Sequence, residues 1–140
     1  MRTDLQNWLL AKDIRDLPLR QMHAVMAARF CCICNKVGRD PIDALSVRFR
    51  SVSAAKTFIS LVEAVGHAWP EPFLVMRPCC SGVSIDEGVL SDMINAAARA
   101  DRMRFDAILC DMIAPNVREK LFDMALKFAG AFDPQRIGAD

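Results

Sequence analysis

Helix start and stop signals are the feature that most constrains this chain. Residues 3–6 (Thr-Asp-Leu-Gln) and 84–87 (Ser-Ile-Asp-Glu) each have the pattern of a capping box. Prolines at positions 18, 41 and 115 suit first helical turns, and Gly38 and Gly66 lie where helices are expected to end. Because β-branched residues are too sparse for a sheet-based fold, these signals predict an all-α protein.

The spacing of the signals predicts one compact helical domain over residues 1–140. It holds six or seven helices and at most one short extended segment, near residues 73–76, where prolines interrupt the helical pattern. The N-terminal helix, within residues 1–15, is a candidate arm, and residues 132–140 are expected to fray.

The second predicted helix has Pro18 in its first turn and is about 20 residues long. Its large apolar side chains lie along one arc. At 100° per residue this arc is formed by Leu19, Met22, His23, Met26, Phe30, Ile33, Cys34 and Val37. Arg29 and Lys36 lie beyond one edge of it. The pattern predicts that the arc faces the core.

Composition and charge exclude several classes of protein. The 140 residues include 18 basic and 17 acidic side chains, a net charge of +1, which excludes a supercharged nucleic-acid binder. Charges are spread through residues 1–13, which lack the apolar run of a secretory signal. No uninterrupted apolar segment is long enough to span a bilayer. We therefore expect a cytoplasmic protein with reduced thiols and no membrane partner.

Six cysteines raise the question of thiol or metal chemistry. Cys79 and Cys80 lie in a predicted loop just before a helix, and Cys32 and Cys34 could add soft donors for zinc or copper(I). Residues 31–34 lie inside a predicted helix, however, where adjacent thiols point about 100° apart. The favoured interpretation is that the cysteines are mostly small buried hydrophobes and that no cofactor is bound. A thiol or metal sensor is kept as an alternative.

A second alternative is a winged-helix-like DNA-binding regulator that uses residues 40–66. Between Leu17 and Lys56 the chain has seven basic residues and two acidic ones. Arg48 and Arg50 bracket a turn between two predicted helices and would hold phosphates. Ser53, Lys56 and Thr57 would face the groove, and residues 73–76 would form the wing.

Catalytic motifs are missing from the sequence. It contains no P-loop, GxGxxG, GxSxG or HExxH pattern, and the two histidines are expected to be packing residues rather than ligands. No catalytic residue is predicted, and we expect that the protein is not an enzyme.

The loop with the paired cysteines carries a resemblance to a known family. Residues 79–90 have the form C-C-x-x-x-[S/T]-x-D-E-x-x-L, and residues 58–98 resemble an uncharacterised family of short bacterial all-α proteins. That family often has a third cysteine and an arginine in this loop, where this chain has Ser81 and Val83. The resemblance implies no activity.

The sequence therefore favours a non-enzymatic regulatory or protein-interaction module. Eight methionines and eight phenylalanines exceed the evident need of one small core, and methionine-rich faces suit adaptable contacts. The expected partner is a second copy of the chain, forming a homodimer, or another protein.

Overall fold

A computed structural model describes residues 12–134 and confirms the all-α class. Within that range the chain forms six α-helices, a 3-10 turn at Ile14–Asp16 and two strands of two residues each. The helices are α1 (Leu19–Val37), α2 (Ile42–Phe49), α3 (Val52–Ala68), α4 (Ile85–Ala98), α5 (Arg102–Leu109) and α6 (Pro115–Ala131). None of these helices has the length and apolar character that crossing a membrane requires.

Within the described residues, two of the helix ends that the sequence signals mark are confirmed and one is not. Gly38 ends α1 in the left-handed conformation at φ 71°, and Ser84 and Glu87 form the predicted capping box of α4. Gly66 does not end α3, which continues to Ala68 and stops shortly before Pro70. A glycine is tolerated inside a helix, whereas proline disfavours helical backbone in the residue before it.

The extended segment lies elsewhere than predicted. The strands β1 (Lys12–Asp13) and β2 (Gly82–Val83) pair antiparallel, with Lys12 opposite Val83, whereas residues 73–76 belong to no strand. The predicted N-terminal helix, placed within residues 1–15, is wrong at residues 12–13, which are extended. The rest of that helix up to residue 11, like the tail from residue 135, lies outside the described residues.

One buried apolar cluster draws side chains from all six helices. At its centre the ring of Phe49 lies 5.4 Å from that of Phe58, 5.2 Å from Phe128 and 4.8 Å from Phe132, measured between centroids. These rings join α2, α3 and the end of α6. Phe132 is therefore buried at the start of the tail that was expected to fray.

Helix α1 contacts this cluster through the face opposite to the predicted one. Its fully buried side chains include Ala24, Val25, Ala27 and Ala28, whereas Leu19, Ile33 and Val37 are 47%, 40% and 62% exposed. Met22, His23, Met26 and Phe30 are only half-buried, and Cys34 alone of the predicted arc is buried. The predicted core face of this helix is wrong: small residues let α1 approach its neighbours closely, whereas the large residues are exposed or only half-buried at the edge of the buried clusters.

Candidate functional site

The first turn of α4 holds a buried ion pair that the sequence did not reveal. Arg29 on α1 donates from Nε to Glu87 on α4 at 2.7 Å and from a terminal nitrogen at 3.0 Å. Both side chains are no more than 1% exposed. Arg29, which lies beyond the predicted core arc, is therefore a core residue, because a carboxylate from another helix neutralises it.

Every polar atom of this pair is used. The remaining three N–H groups of Arg29 bond the backbone carbonyls of Arg77, Cys80 and Gly82 at 3.3, 2.8 and 2.8 Å. The Glu87 carboxylate also accepts from the backbone N–H groups of Ser84 and Met76 at 3.0 and 3.1 Å. With five donors and four acceptor sites satisfied, the pair fixes the loop before α4 and has no capacity left for a ligand.

Two neighbours of Glu87 in the capping-box segment, Ser84 and Asp86, also hold the loop before α4. Asp86 accepts hydrogen bonds from the indole N–H of Trp69 at 3.1 Å and from the backbone N–H of Leu74 at 2.8 Å. The hydroxyl of Ser84 donates to the carbonyl of Leu74 at 2.7 Å. Residues 73–76, the segment expected to be a wing, are tied to α4 in this way and need no strand partner.

The cysteines do not form a metal centre in the described part of the chain. No three cysteine, histidine or carboxylate side chains there are placed to hold one ion. Cys79 is exposed and Cys80 half-buried in a turn, whereas Cys32 is half-buried and Cys34 buried on α1. The four candidate ligands are thus divided between a loop and a helix, and chelation by the set is not supported.

Cys31 is chemically quiet. Burial, the nearby thiols of Cys34 and Cys32, and the charge of Glu63 raise the pKa of Cys31 to about 12. The thiol stays protonated at neutral pH, and a protonated thiol is a poor nucleophile and metal ligand.

Two of the five residues proposed for DNA binding, Arg48 and Thr57, make hydrogen bonds within the protein. Arg48 donates to Nδ1 of His23 at 3.1 Å, and the hydroxyl of Thr57 bonds the carbonyls of Ser53 and Ala54. Arg50 lies in the left-handed conformation between α2 and α3. Among the five, Arg50, Ser53 and Lys56 are exposed. Their role in DNA binding stays a prediction.

The partly exposed apolar side of α1 is a further feature of the structure. We call it the outer face of α1 and define it as Leu19, Met26, Phe30, Ile33 and Val37. Beside its middle lies a groove of about 580 Å³. Met26 and Phe30 line this groove from α1, Ala44, Val47 and Arg48 line it from α2, and Pro78 lines it from the loop. Val47 is 78% exposed, so the apolar surface extends from α1 onto α2.

His23 stands at the border between the outer face of α1 and α2. Because Arg48 can only donate, Nδ1 of His23 must accept, and the imidazole is neutral with its proton on Nε2. Burial and the positive charge of Arg48 both lower the pKa of His23. Its ring also packs edge-on against Phe132, 5.6 Å away.

A separate cleft of about 750 Å³ separates α1 from α3. Ile59, Val62, Phe73 and Leu90 supply apolar walls, and Glu63 and His67 are among its polar lining groups. Nδ1 of His67 lies 2.7 Å from the carbonyl of Glu63, one helical turn earlier, which orients the ring. The polar groups have mixed charge and do not converge on one point.

Comparisons with known proteins add nothing to this geometry. A scan against protein-family models, a search of the curated proteins and a search of the solved structures each found no match to the chain.

Proposed function

We propose that this protein is a non-enzymatic protein-interaction module and that the outer face of α1 is its contact surface. The observation that carries the proposal is the orientation of α1. Its alanines pack inward, whereas Leu19, Ile33 and Val37 are exposed. Met26 and Phe30 lie between these exposed residues and are half-buried at the edge of the buried clusters. Large apolar side chains left outside a small domain mark contact sites when they are contiguous.

The surface has the properties of a recognition surface. Leu19 and Val37 lie at opposite ends of α1 but on the same side of it, so the face runs along the whole helix. Methionine and phenylalanine supply its centre, and methionine adapts to different partners because its side chain is flexible. The buried Arg29–Glu87 pair holds the loop beside this face and so keeps the surface in one shape.

The chemistry of the remaining polar groups supports a non-enzymatic role. The most buried charged groups, Arg29 and Glu87, are saturated by each other and by the loop backbone.

The proposed location of the protein is the cytoplasm. Its six cysteines, all of them free thiols, suit a reducing compartment.

Site-specific photo-crosslinking tests the proposal. A benzophenone amino acid at position 33, on the outer face of α1, is compared in a cell extract with the same group at position 103. Met103 is a matched control because it is 86% exposed and lies on α5, away from α1. We expect defined covalent adducts at position 33, either with another protein or with a second copy, and only background at position 103.

Two further measurements complete this test. Thermal unfolding of both labelled proteins shows that the fold is kept, which is expected because both sites are exposed. If position 33 yields no more adduct than position 103 in folded protein, the outer face of α1 is not a contact surface and the proposal fails.

A further inference from the structure

The spacing along α1 indicates what kind of element covers its outer face. When the border residue His23 is added to the outer face, the intervals between successive residues are 4, 3, 4, 3 and 4, for Leu19, His23, Met26, Phe30, Ile33 and Val37. This is the repeat by which one helix packs along another, with each side chain entering a hole in the facing helix. Neither an extended peptide nor a flat surface matches such a repeat over five turns of helix.

The flanks of this face are basic on both sides. In the same repeat, Arg20 and Lys36 occupy the positions that flank the apolar seam, where charge selects the partner. Arg48 on α2 lines the groove and bonds His23, and the exposed Arg77 directly precedes the groove residue Pro78. The remaining flanking arginine, Arg29, is already paired with Glu87.

No acidic group of α1 offsets this charge, since the helix contains no aspartate or glutamate. In the described part of the chain Nε of Arg20 is buried without a hydrogen-bond partner. Asp43 is the nearest acid along α2, but it lies about 140° around that helix from Arg48 at 3.6 residues per turn. A second α1 would bring another helix without acidic residues against this one, so self-pairing offers no charge complementarity.

We propose that the outer face of α1 binds an amphipathic helix of another protein, with an apolar seam flanked by aspartate or glutamate. The helix lies along α1 between α2 and the loop at Pro78, and its large side chains fill the groove beside Met26 and Phe30. Its carboxylates pair with Arg20 and Lys36 at the ends and with Arg48 and Arg77 along the sides. This inference depends on the proposed function and names the chemistry of the partner.

Two designed peptides test the inference by fluorescence anisotropy. Both are about three heptads long, carry the same leucine seam and differ only in having glutamate or lysine at the flanking positions. We expect the acidic peptide to bind the full chain about tenfold more tightly than the basic one, because like charges across an interface are strongly disfavoured. Raising the salt from about 0.05 to about 0.5 M should remove most of the difference, since screening weakens exposed charges.

Variants separate the seam from the flanks. Ile33→Asp, or Val37→Asp if the first is poorly folded, should weaken both peptides, because each puts a charge in the seam. Lys36→Glu combined with Arg77→Glu should reduce or reverse the preference for the acidic peptide over the basic one. The fold should be kept, since both side chains are exposed. Met103→Asp is the control and should change neither affinity.

The outcomes that overturn the inference are distinct. Equal binding of the two peptides, or binding of neither to folded protein, excludes an acidic helix as the partner. A wild-type dimer that Ile33→Asp converts to a monomer assigns the face to a second copy. Crosslinking at position 33 would still succeed in those cases, so failure of the partner chemistry is distinguishable from failure of the proposed function.

Discussion

The two faces of α1 show opposite relations between side-chain chemistry and burial. The inner face buries alanines together with Arg29 and Gln21, whereas the outer face exposes leucine, isoleucine and valine. Hydrophobicity alone would reverse this arrangement. The inner face is buried because its side chains are small enough for close packing and because each polar group on it has a partner on α4: Glu87 for Arg29 and Ser91 for Gln21.

The largest expected loss in free energy of unfolding comes from replacing Arg29, the charged residue of the inner face. Arg29→Met leaves the Glu87 carboxylate buried without a cation and removes the donors to three loop carbonyls. We expect the free energy of unfolding, measured in urea, to fall by about 3–5 kcal/mol. Lys36→Met on the exposed side of the same helix should change it by no more than about 0.5 kcal/mol.

A double-mutant cycle sharpens this comparison. Glu87→Gln added to Arg29→Met should cost less than the sum of the two single changes, because a neutral amide no longer needs the cation. Additivity of the two changes, or a loss below about 1 kcal/mol for Arg29→Met, would mean that the pair does not hold the loop against α4.

A change in side-chain volume should also lower the free energy of unfolding more on the inner face of α1 than on the outer face. Ala24→Leu inserts a large side chain where α1 meets the core and should lower the free energy of unfolding by about 1–3 kcal/mol through overpacking. Ile33→Ala on the outer face should stay within about 0.5 kcal/mol, because the side chain is already in contact with water. Chemical denaturation of both variants measures the difference. Similar losses at both positions would show that the outer face is packed in the free protein.

The two faces of α1 also show which features of the fold could be predicted from the sequence and which could not. Local signals sufficed for the helix boundaries, because a cap such as Ser84 with Glu87 or a left-handed Gly38 acts within one turn. They could not orient α1, because its inward face depends on how closely α4 approaches Ala24 and Ala28. The burial of Arg29 could not be predicted for the same reason, because its partner Glu87 is 58 residues away along the chain.

In the motif around the paired cysteines, the residues that make the most hydrogen bonds are not the cysteines. Ser84, Asp86 and Glu87 make the hydrogen bonds that hold the loop, whereas the side chain of Cys79 is exposed. A signal for this role was present in the sequence. Two acids in the first turn of a capped helix, directly after a proline-rich segment, can accept hydrogen bonds from loop N–H groups that have no strand or helix partner.

A smaller effect is expected at the neutral pair of the inner face. The amide of Gln21 donates to the hydroxyl of Ser91 at 2.7 Å, and both residues are buried. Ser91→Ala leaves the amide without its acceptor and should cost about 1–2 kcal/mol in urea unfolding. Ser60→Ala at an exposed helical position is the matched control and should be close to neutral. A loss at Ser91 no greater than that at Ser60 would show that this bond adds nothing to the packing of α1 on α4.

The smallest expected effect is at His23, where the two faces of α1 meet. Its pKa in the folded protein is lowered, by burial first and by Arg48 second, so the unfolded chain takes up the proton at a higher pH. The free energy of unfolding should therefore contain a contribution that is constant above about pH 7.5 and is lost as the pH falls below the unfolded pKa of about 6.5. Protonation also converts Nδ1 from an acceptor into a donor that opposes Arg48.

Comparing wild type with His23→Gln isolates this contribution from the carboxylates that titrate in the same range. The stability difference between pH 7.5 and pH 5 should be larger for wild type than for the variant, and Arg48→Gln should lie between them because burial still lowers the pKa of His23. An NMR titration of the imidazole gives the folded pKa directly. A value at or above 6.5 would show that His23 is solvated like the outer face of α1, rather than held between that face and α2.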